Sequence, residues 1–252
     1  MVAAAEGGVR ASVWLQEKAR RRSRSGPPSG LDRERITRAT VRMLDAKGLD
    51  RFSMRRLAAE LDVTAMSLYW YVDTKDDLLE LALDAAFGEL GLPDAEDEDT
   101  DWREQLRTLA TEYRALLVRH PWLSPLAGRF LNIGPDSLAF SRRVQQVVRR
   151  TGLPAHGVSG AISAVFQFVY GYGTFEGHFA TRVAAAGLTP DEYHRSALSA
   201  AIGAPGAEDV LRERAELRAA RGGDTVQEML DRDFAFALEL LVSGIEAMVT
   251  RA

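Results

Sequence analysis

The chain has 252 residues, 46% of them hydrophobic, enough to bury one large core or two modest ones. It contains no cysteine, which excludes disulfides, thiolate metal sites and a cysteine nucleophile, and no apolar run approaches the roughly 18 residues of a membrane span. The net charge of -4 conceals an asymmetry: residues 1–75 hold 15 Lys and Arg against 9 Asp and Glu, net +6, while the rest is net -10, so a basic end is joined to an acidic body.

Residues 1–30 read as an irregular arm in which Arg20, Arg21, Arg22 and Arg24 crowd together and Gly26, Pro27, Pro28 and Gly30 break any helix. A first helix starts at Asp32, an N-cap flanked by a Leu31/Ile36 staple, continues through Ala39, Thr40, Met43 and Leu44, and stops at Gly48. Ser53 caps a second helix of two turns, stapled by Phe52 and Leu57 and ending near Asp62. Thr64 caps a third, stapled by Val63 and Leu68 and running to Val72. Only residues 61–63 separate the two, which is a tight helix-turn-helix. Thr74 and Asp77 form a capping box for a fourth helix rich in Leu and Ala.

The acidic, proline-containing stretch 93–101 marks the module boundary. Beyond it, Trp102, Leu106, Leu109, Tyr113 and Leu117 define an amphipathic helix ending at His120 and Pro121, and Pro135 opens another that Gly152 closes. Segments 158–179 and 226–249 carry apolar residues on nearly every face, so both require partners; the stretch 187–224 between them reads as weak helices in an excursion. Strand alternation is nowhere sustained. The expectation is an all-α chain: an arm (1–30), a helix-turn-helix DNA-binding domain with a linking fourth helix (31–92), and a larger helical effector-binding and dimerisation domain (93–252).

In a helix-turn-helix the second helix enters the major groove, so it must anchor inward with little apolar surface and display reading groups outward. The segment from Thr64 to Val72 does this, keeping Leu68 and Val72 for the core and leaving Thr64, Ala65, Met66, Ser67, Tyr69 and Tyr71 facing out. Trp70 has two readings, core packing or a phosphate contact.

The run SMRRLAAELDVTAMSLYWYV, followed by TKDDLL and preceded by a helix that ends in glycine, resembles the tetracycline-repressor (TetR) family of one-component regulators; Gly134-Pro135 and the DFAFALELL segment near the C-terminus resemble its effector domain. The resemblance implies that Arg55 reads a base, where a guanidinium can bond guanine O6 and N7, with Arg56 on a phosphate or in solvent. It implies that Thr64, Ala65, Met66 and Ser67 occupy the reading positions, that Tyr69, Tyr71 and Lys75 grip phosphates, and that Ser53 adds its hydroxyl while capping its helix. Asp62 stands where the family often has glycine, so its turn must accept a left-handed backbone. For Arg21, Arg22 and Arg24 two readings stay open: entry into the minor groove, or a solubilising tail.

The same resemblance implies a homodimer, paired through the last two long helices, that binds palindromic double-stranded operator DNA and is released by a small-molecule effector. The apolar face of 226–249, with Phe236 and Leu240 as a second face, supports the pairing independently. Gln167, Phe168, Tyr170, Tyr172, Phe175, Glu176 and His178 form the richest polar and aromatic cluster for an effector, with Phe130 and Asn132 as lesser candidates. No cofactor or metal is expected. An all-α enzyme and a helical adaptor are the rival readings, but the four histidines form no i, i+4 pair and no phosphate loop is present. With no secretory run at the N-terminus, the cytoplasm is the expected location.

Overall fold

The computed structural model of the protein describes residues 12–15, 31–94, 99–202 and 220–251; Arg21, Arg22 and Arg24 lie outside them. Helix α1 (Arg33–Lys47) begins as its sequence dictates: the Asp32 carboxylate accepts the Arg35 N–H at 2.6 Å, and Leu31 and Ile36 are both buried. A 3₁₀ turn (Leu49–Arg51) leads to α2 (Met54–Glu60), where Ser53 Oγ accepts the Arg56 N–H. Asp62 adopts the left-handed conformation, φ 55°, that the turn into α3 (Ala65–Leu68) requires.

The third helix is shorter than its pattern predicts. Past Leu68 the N–H groups of Tyr69, Trp70 and Tyr71 bond to carbonyls three residues back, so the segment to Val72 closes as a tightened turn that satisfies the last carbonyls of a short helix. Helix α4 (Lys75–Phe87) has both halves of the predicted capping box: Thr74 Oγ1 accepts the Asp77 N–H, and Asp77 accepts the Thr74 N–H at 2.9 Å. α5 (Trp102–Arg119), α6 (Leu123–Ala127), α7 (Pro135–Arg149), α8 (Ala155–Ala186), α9 (Pro190–Ile202) and α10 (Val226–Arg251) follow, and no strand occurs among the described residues.

The chain divides into two units, Met1–Leu90 with Trp122–Arg142, and Gly91–Pro121 with Arg143–Ala252. It leaves the first unit close to the acidic boundary seen in the sequence, but returns to it at Trp122. Among the contacts that hold the returning segment there, the Trp122 indole N–H donates to Asp45 of α1 at 2.6 Å, Arg129 pairs with Asp76 at 3.0 Å, and α6 packs on α4.

Within the first unit α4 lies along α1 and buries three carboxylates on one face, at Asp77, Glu80 and Asp84. Asp84 accepts the Ser137 N–H at 2.8 Å and the Asp136 N–H at 3.4 Å, and so caps the start of α7 from another helix. Gly134 makes room for it, since a Cβ there would fall 2.2 Å from the carboxylate. Burial, then the nearby Asp84 charge, push the Asp136 carboxyl above the usual carboxylate range.

In the second unit α8 packs along α5. Two glycines permit the approach: a Cβ on Gly173 would meet Leu117 Cβ at 2.9 Å, and one on Gly177 would meet the Leu117 carbonyl at 2.8 Å.

Asp84→Ala strips the acceptor from two N–H groups at the α7 start and is expected to cost about 1.5–3 kcal/mol, the scale of a hydrogen bond to a charged group. Urea unfolding followed by circular dichroism measures it, with Asp84→Asn, which keeps one acceptor oxygen, expected to lose less.

Candidate nucleic-acid interface and effector site

The helix-turn-helix separates an inner from an outer surface. Leu57, Leu68 and Val72 are fully buried, whereas Met66 is 71% exposed, Trp70 50% and Tyr69 39%, so Trp70 is not a core residue. Arg55 projects from the outer side of α2, and among the described residues its guanidinium makes no hydrogen bond or ion pair. The adjacent Arg56 differs: it is committed to the Arg51 carbonyl at 2.7 Å.

Small polar groups in the region first hold the backbone. Ser53 caps α2, while Thr64 Oγ1 accepts the Ser67 N–H and lies 2.9 Å from Ser67 Oγ, with half-exposed Ala65 between them. Tyr71 donates its hydroxyl to the Leu31 carbonyl at 2.5 Å, tying the end of the reading segment to the start of α1. Burial, then the Asp32 charge, raise its phenol above the usual range. Lys75 sits at the start of α4 with its ammonium 5.5 Å from the centre of the Phe52 ring.

In the second unit the residues predicted to meet an effector fall into two groups, of which Phe168, Tyr172 and Glu176 gather around Arg114. Glu176 is buried and takes a bidentate pair from Arg114 of α5, at 2.7 and 3.0 Å; Gln227 donates to it at 3.0 Å, and Asp231 takes Arg114 Nη2 at 2.7 Å. Two rings lie against that guanidinium and a third stacks behind them. Phe234 lies 4.6 Å and Tyr172 5.4 Å from it, and Phe168 stacks on Phe234 at 5.5 Å, while the Tyr172 hydroxyl donates to the Leu230 carbonyl. Phe168, Tyr172 and Glu176 thus belong to one α5–α8–α10 knot around Arg114, with Glu176 buried and the two rings half-buried.

Gln167, Phe175 and His178 lie on the opposite, exposed side of α8, Phe175 at 66%, and Tyr170 is intermediate beside Tyr113. Phe130 and Asn132 belong to the first unit, where Asn132 adopts φ 51° and donates to the Ala127 carbonyl, and Arg129 lies over the Phe130 ring. An apolar cavity of about 290 Å³ instead opens between α8 and α10, where Gly157, Gly160 and Ala164 face Leu240, Gly244 and Met248.

Residues 36–82 match the family profile described as bacterial regulatory proteins, tetR family, and residues 92–249 match that of the tetracyclin repressor-like C-terminal domain. The chain belongs to the TetR family. The HTH-type transcriptional repressor DrrR1 of Streptomyces coeruleorubidus is 34% identical over 238 residues, spanning 94% of this chain and 85% of that protein. An HTH-type transcriptional regulator of Saccharopolyspora erythraea is 38% identical over 164 residues, 65% of this chain and 67% of its own length. Among solved structures, apo ActR from Streptomyces coelicolor superposes with a TM-score of 0.67 at 26% identity, over 89% of this chain and 99% of that one. ActR has also been solved in complex with actinorhodin, and that structure matches at 25% identity with a TM-score of 0.67, over 87% of this chain and 97% of that one. As a TetR-family member the chain is a transcriptional regulator and not an enzyme.

Arg114, at the centre of this TetR-family body, belongs to no motif, although the sequence signals it. Arg114 interrupts the apolar stripe of α5 between Ala110 and Leu117, where an unpaired charge would be costly to bury, so a buried partner was implied. Which partner depended on the α5–α8 packing.

Because the Arg114–Glu176 pair is nearly dry, Glu176→Ala is expected to destabilise the ligand-free protein by about 3–5 kcal/mol, while Arg114→Met with Glu176→Leu together cost far less. Thermal unfolding of the two variants without effector separates this structural role from a ligand contact, which would leave the ligand-free protein unchanged.

Proposed function

We propose that this regulator is a repressor that binds a near-palindromic operator as a homodimer and leaves it when a small molecule occupies the body. The observation that carries the reading is the outer surface of the helix-turn-helix. It presents an unengaged Arg55, an exposed Met66 and exposed aromatics on a backbone fixed by the Asp32, Ser53, Thr64 and Thr74 caps. Such a surface is poorly suited to water and well suited to base edges, methyl groups and phosphates.

In this reading Arg55 and Met66 specify bases, with Thr64, Ala65 and Ser67 beside them. Tyr69, Trp70 and Lys75 hold phosphates. Tyr71 acts through its Leu31 bond with its hydroxyl oxygen still able to accept, while Ser53 and Arg56 support the α2 start. Two such surfaces must stand one DNA turn apart, about 34–36 Å, which a dimer provides.

For the dimer seam the support is α10, where Phe236, Leu240 and Met248 are 69%, 61% and 62% exposed at helical spacing and adjoin the apolar cavity against α8. The outward Phe175, Gln167 and His178 of α8 lie toward such a seam or the effector. ActR, solved with actinorhodin, is the precedent for a small-molecule effector. No described helix is long and apolar enough to cross a membrane, and we place the protein in the cytoplasm, where its DNA is.

Selection of bound duplexes from a random DNA pool tests the reading directly: one enriched palindrome is the expected result, and a folded dimer that enriches nothing, with or without candidate effectors, excludes it. On the selected site Arg55→Ala should cost about 1–3 kcal/mol and relax preference at one base pair, while Lys75→Ala should weaken all duplexes alike and flatten the salt dependence. Sedimentation of Leu240→Glu tests the seam, with monomer expected where the natural chain sediments as a dimer.

A further inference from the structure

Residues 12–15 lie far from the helix-turn-helix in sequence, yet pack against the same unit. They are helical from Val13, with the Leu15 N–H on the Ser12 carbonyl at 3.0 Å and Ser12 and Val13 buried. Both are held by one side chain. The Ser12 hydroxyl donates to Glu80 Oε1, and the Val13 N–H donates to Glu80 Oε2 at 2.9 Å. Among the described residues these are the only donors to the Glu80 carboxylate, which is 5% exposed in the middle of α4.

We propose that residues 12–15 are a strap that closes over α4, and that Glu80 is the positioning residue that holds it and thereby sets the frame on which the DNA-reading segment is mounted. The inference rests on the DNA-reading function proposed above, and the physical path is continuous. From Glu80 the strap runs to Trp14, whose ring lies 5.6 Å from the Arg33 guanidinium in the first turn of α1. Two residues before Arg33, the Leu31 carbonyl receives the Tyr71 hydroxyl at the end of the reading segment. A buried carboxylate cannot stay dry without donors, so detaching the strap exposes Glu80 to water and frees the start of α1. The Tyr71 anchor then loses its fixed acceptor. Leu15, 60% exposed, takes no part.

The test adds a charge at the contact and then rescues it in the full-length chain. Ser12→Asp places a second carboxylate against Glu80 and is expected to weaken binding to the selected operator about tenfold, with dimerisation unchanged. Adding Glu80→Gln gives the aspartate an amide donor and should restore most of that loss. Leu15→Asp, which adds the same charge outside the contact, should bind as the natural chain does.

Amide hydrogen exchange over residues 69–72 reads the strap without DNA: protection should fall in Ser12→Asp and return in the double variant. Unchanged protection in Ser12→Asp, or a loss that Glu80→Gln fails to reverse, overturns the strap. A fall in melting temperature with unaltered operator affinity and exchange also overturns it, because the segment would then only stabilise. Failure of the natural chain to bind any duplex, with the exchange pattern as expected, counts against the DNA-reading function and leaves the strap standing.

Discussion

A carboxylate taken out of water must be met by N–H or O–H donors, and the first unit is organised by three such carboxylates on one face of α4. Asp77, Glu80 and Asp84 recur at helical spacing among leucines and alanines, and each gathers the start of a different segment. Asp77 takes the N–H groups of Asp73 and Thr74 before its own helix, Glu80 takes residues 12 and 13, and Asp84 takes the start of α7. The N-terminus of a helix is a favourable place for negative charge, so each contact offsets the desolvation of its carboxylate while fixing where a segment begins. Directional bonds of this kind specify position more sharply than apolar packing does.

The second unit solves the same problem with opposite charges. Arg114 and Glu176 form a dry bidentate pair, completed by Gln227 and Asp231 and walled by Phe168, Tyr172 and Phe234. Desolvation cancels much of the attraction in a buried ion pair, so its main effect is to fix register among α5, α8 and α10. The close approach at Gly173 and Gly177 brings the partners together. Phe168, Tyr172 and Glu176 of α8 are engaged in this knot, while Gln167, Phe175 and His178 stay on the exposed side of that helix.

In the function proposed, structural and reading tasks on the helix-turn-helix fall to different residues. Leu57, Leu68 and Val72 anchor the segment, and the caps settle its backbone, so Arg55 and Met66 are left exposed at its outer surface. Neighbours of the same type divide likewise: Arg56 is spent on the Arg51 carbonyl, whereas Arg55 remains available. Such a division lets the reading positions vary without endangering the fold.

The sequence by itself determined the local features: the caps at Asp32, Ser53, Thr64 and Thr74, the all-helical class and the outward position of Met66 and Tyr69. Each depends on residues only a few positions apart, where backbone sterics and side-chain hydrogen bonds act directly. Tertiary structure alone decided what charged residues inside apolar stripes would meet. It paired Arg114 with Glu176 over 62 positions and Glu80 with Ser12 over 68, returned residues from Trp122 to the first unit, and gathered Phe168 and Tyr172 beside Phe234 and Arg114. The physical reason is that helical periodicity says which face is buried but not which face it meets, and a buried charge names its need for a partner without naming the partner.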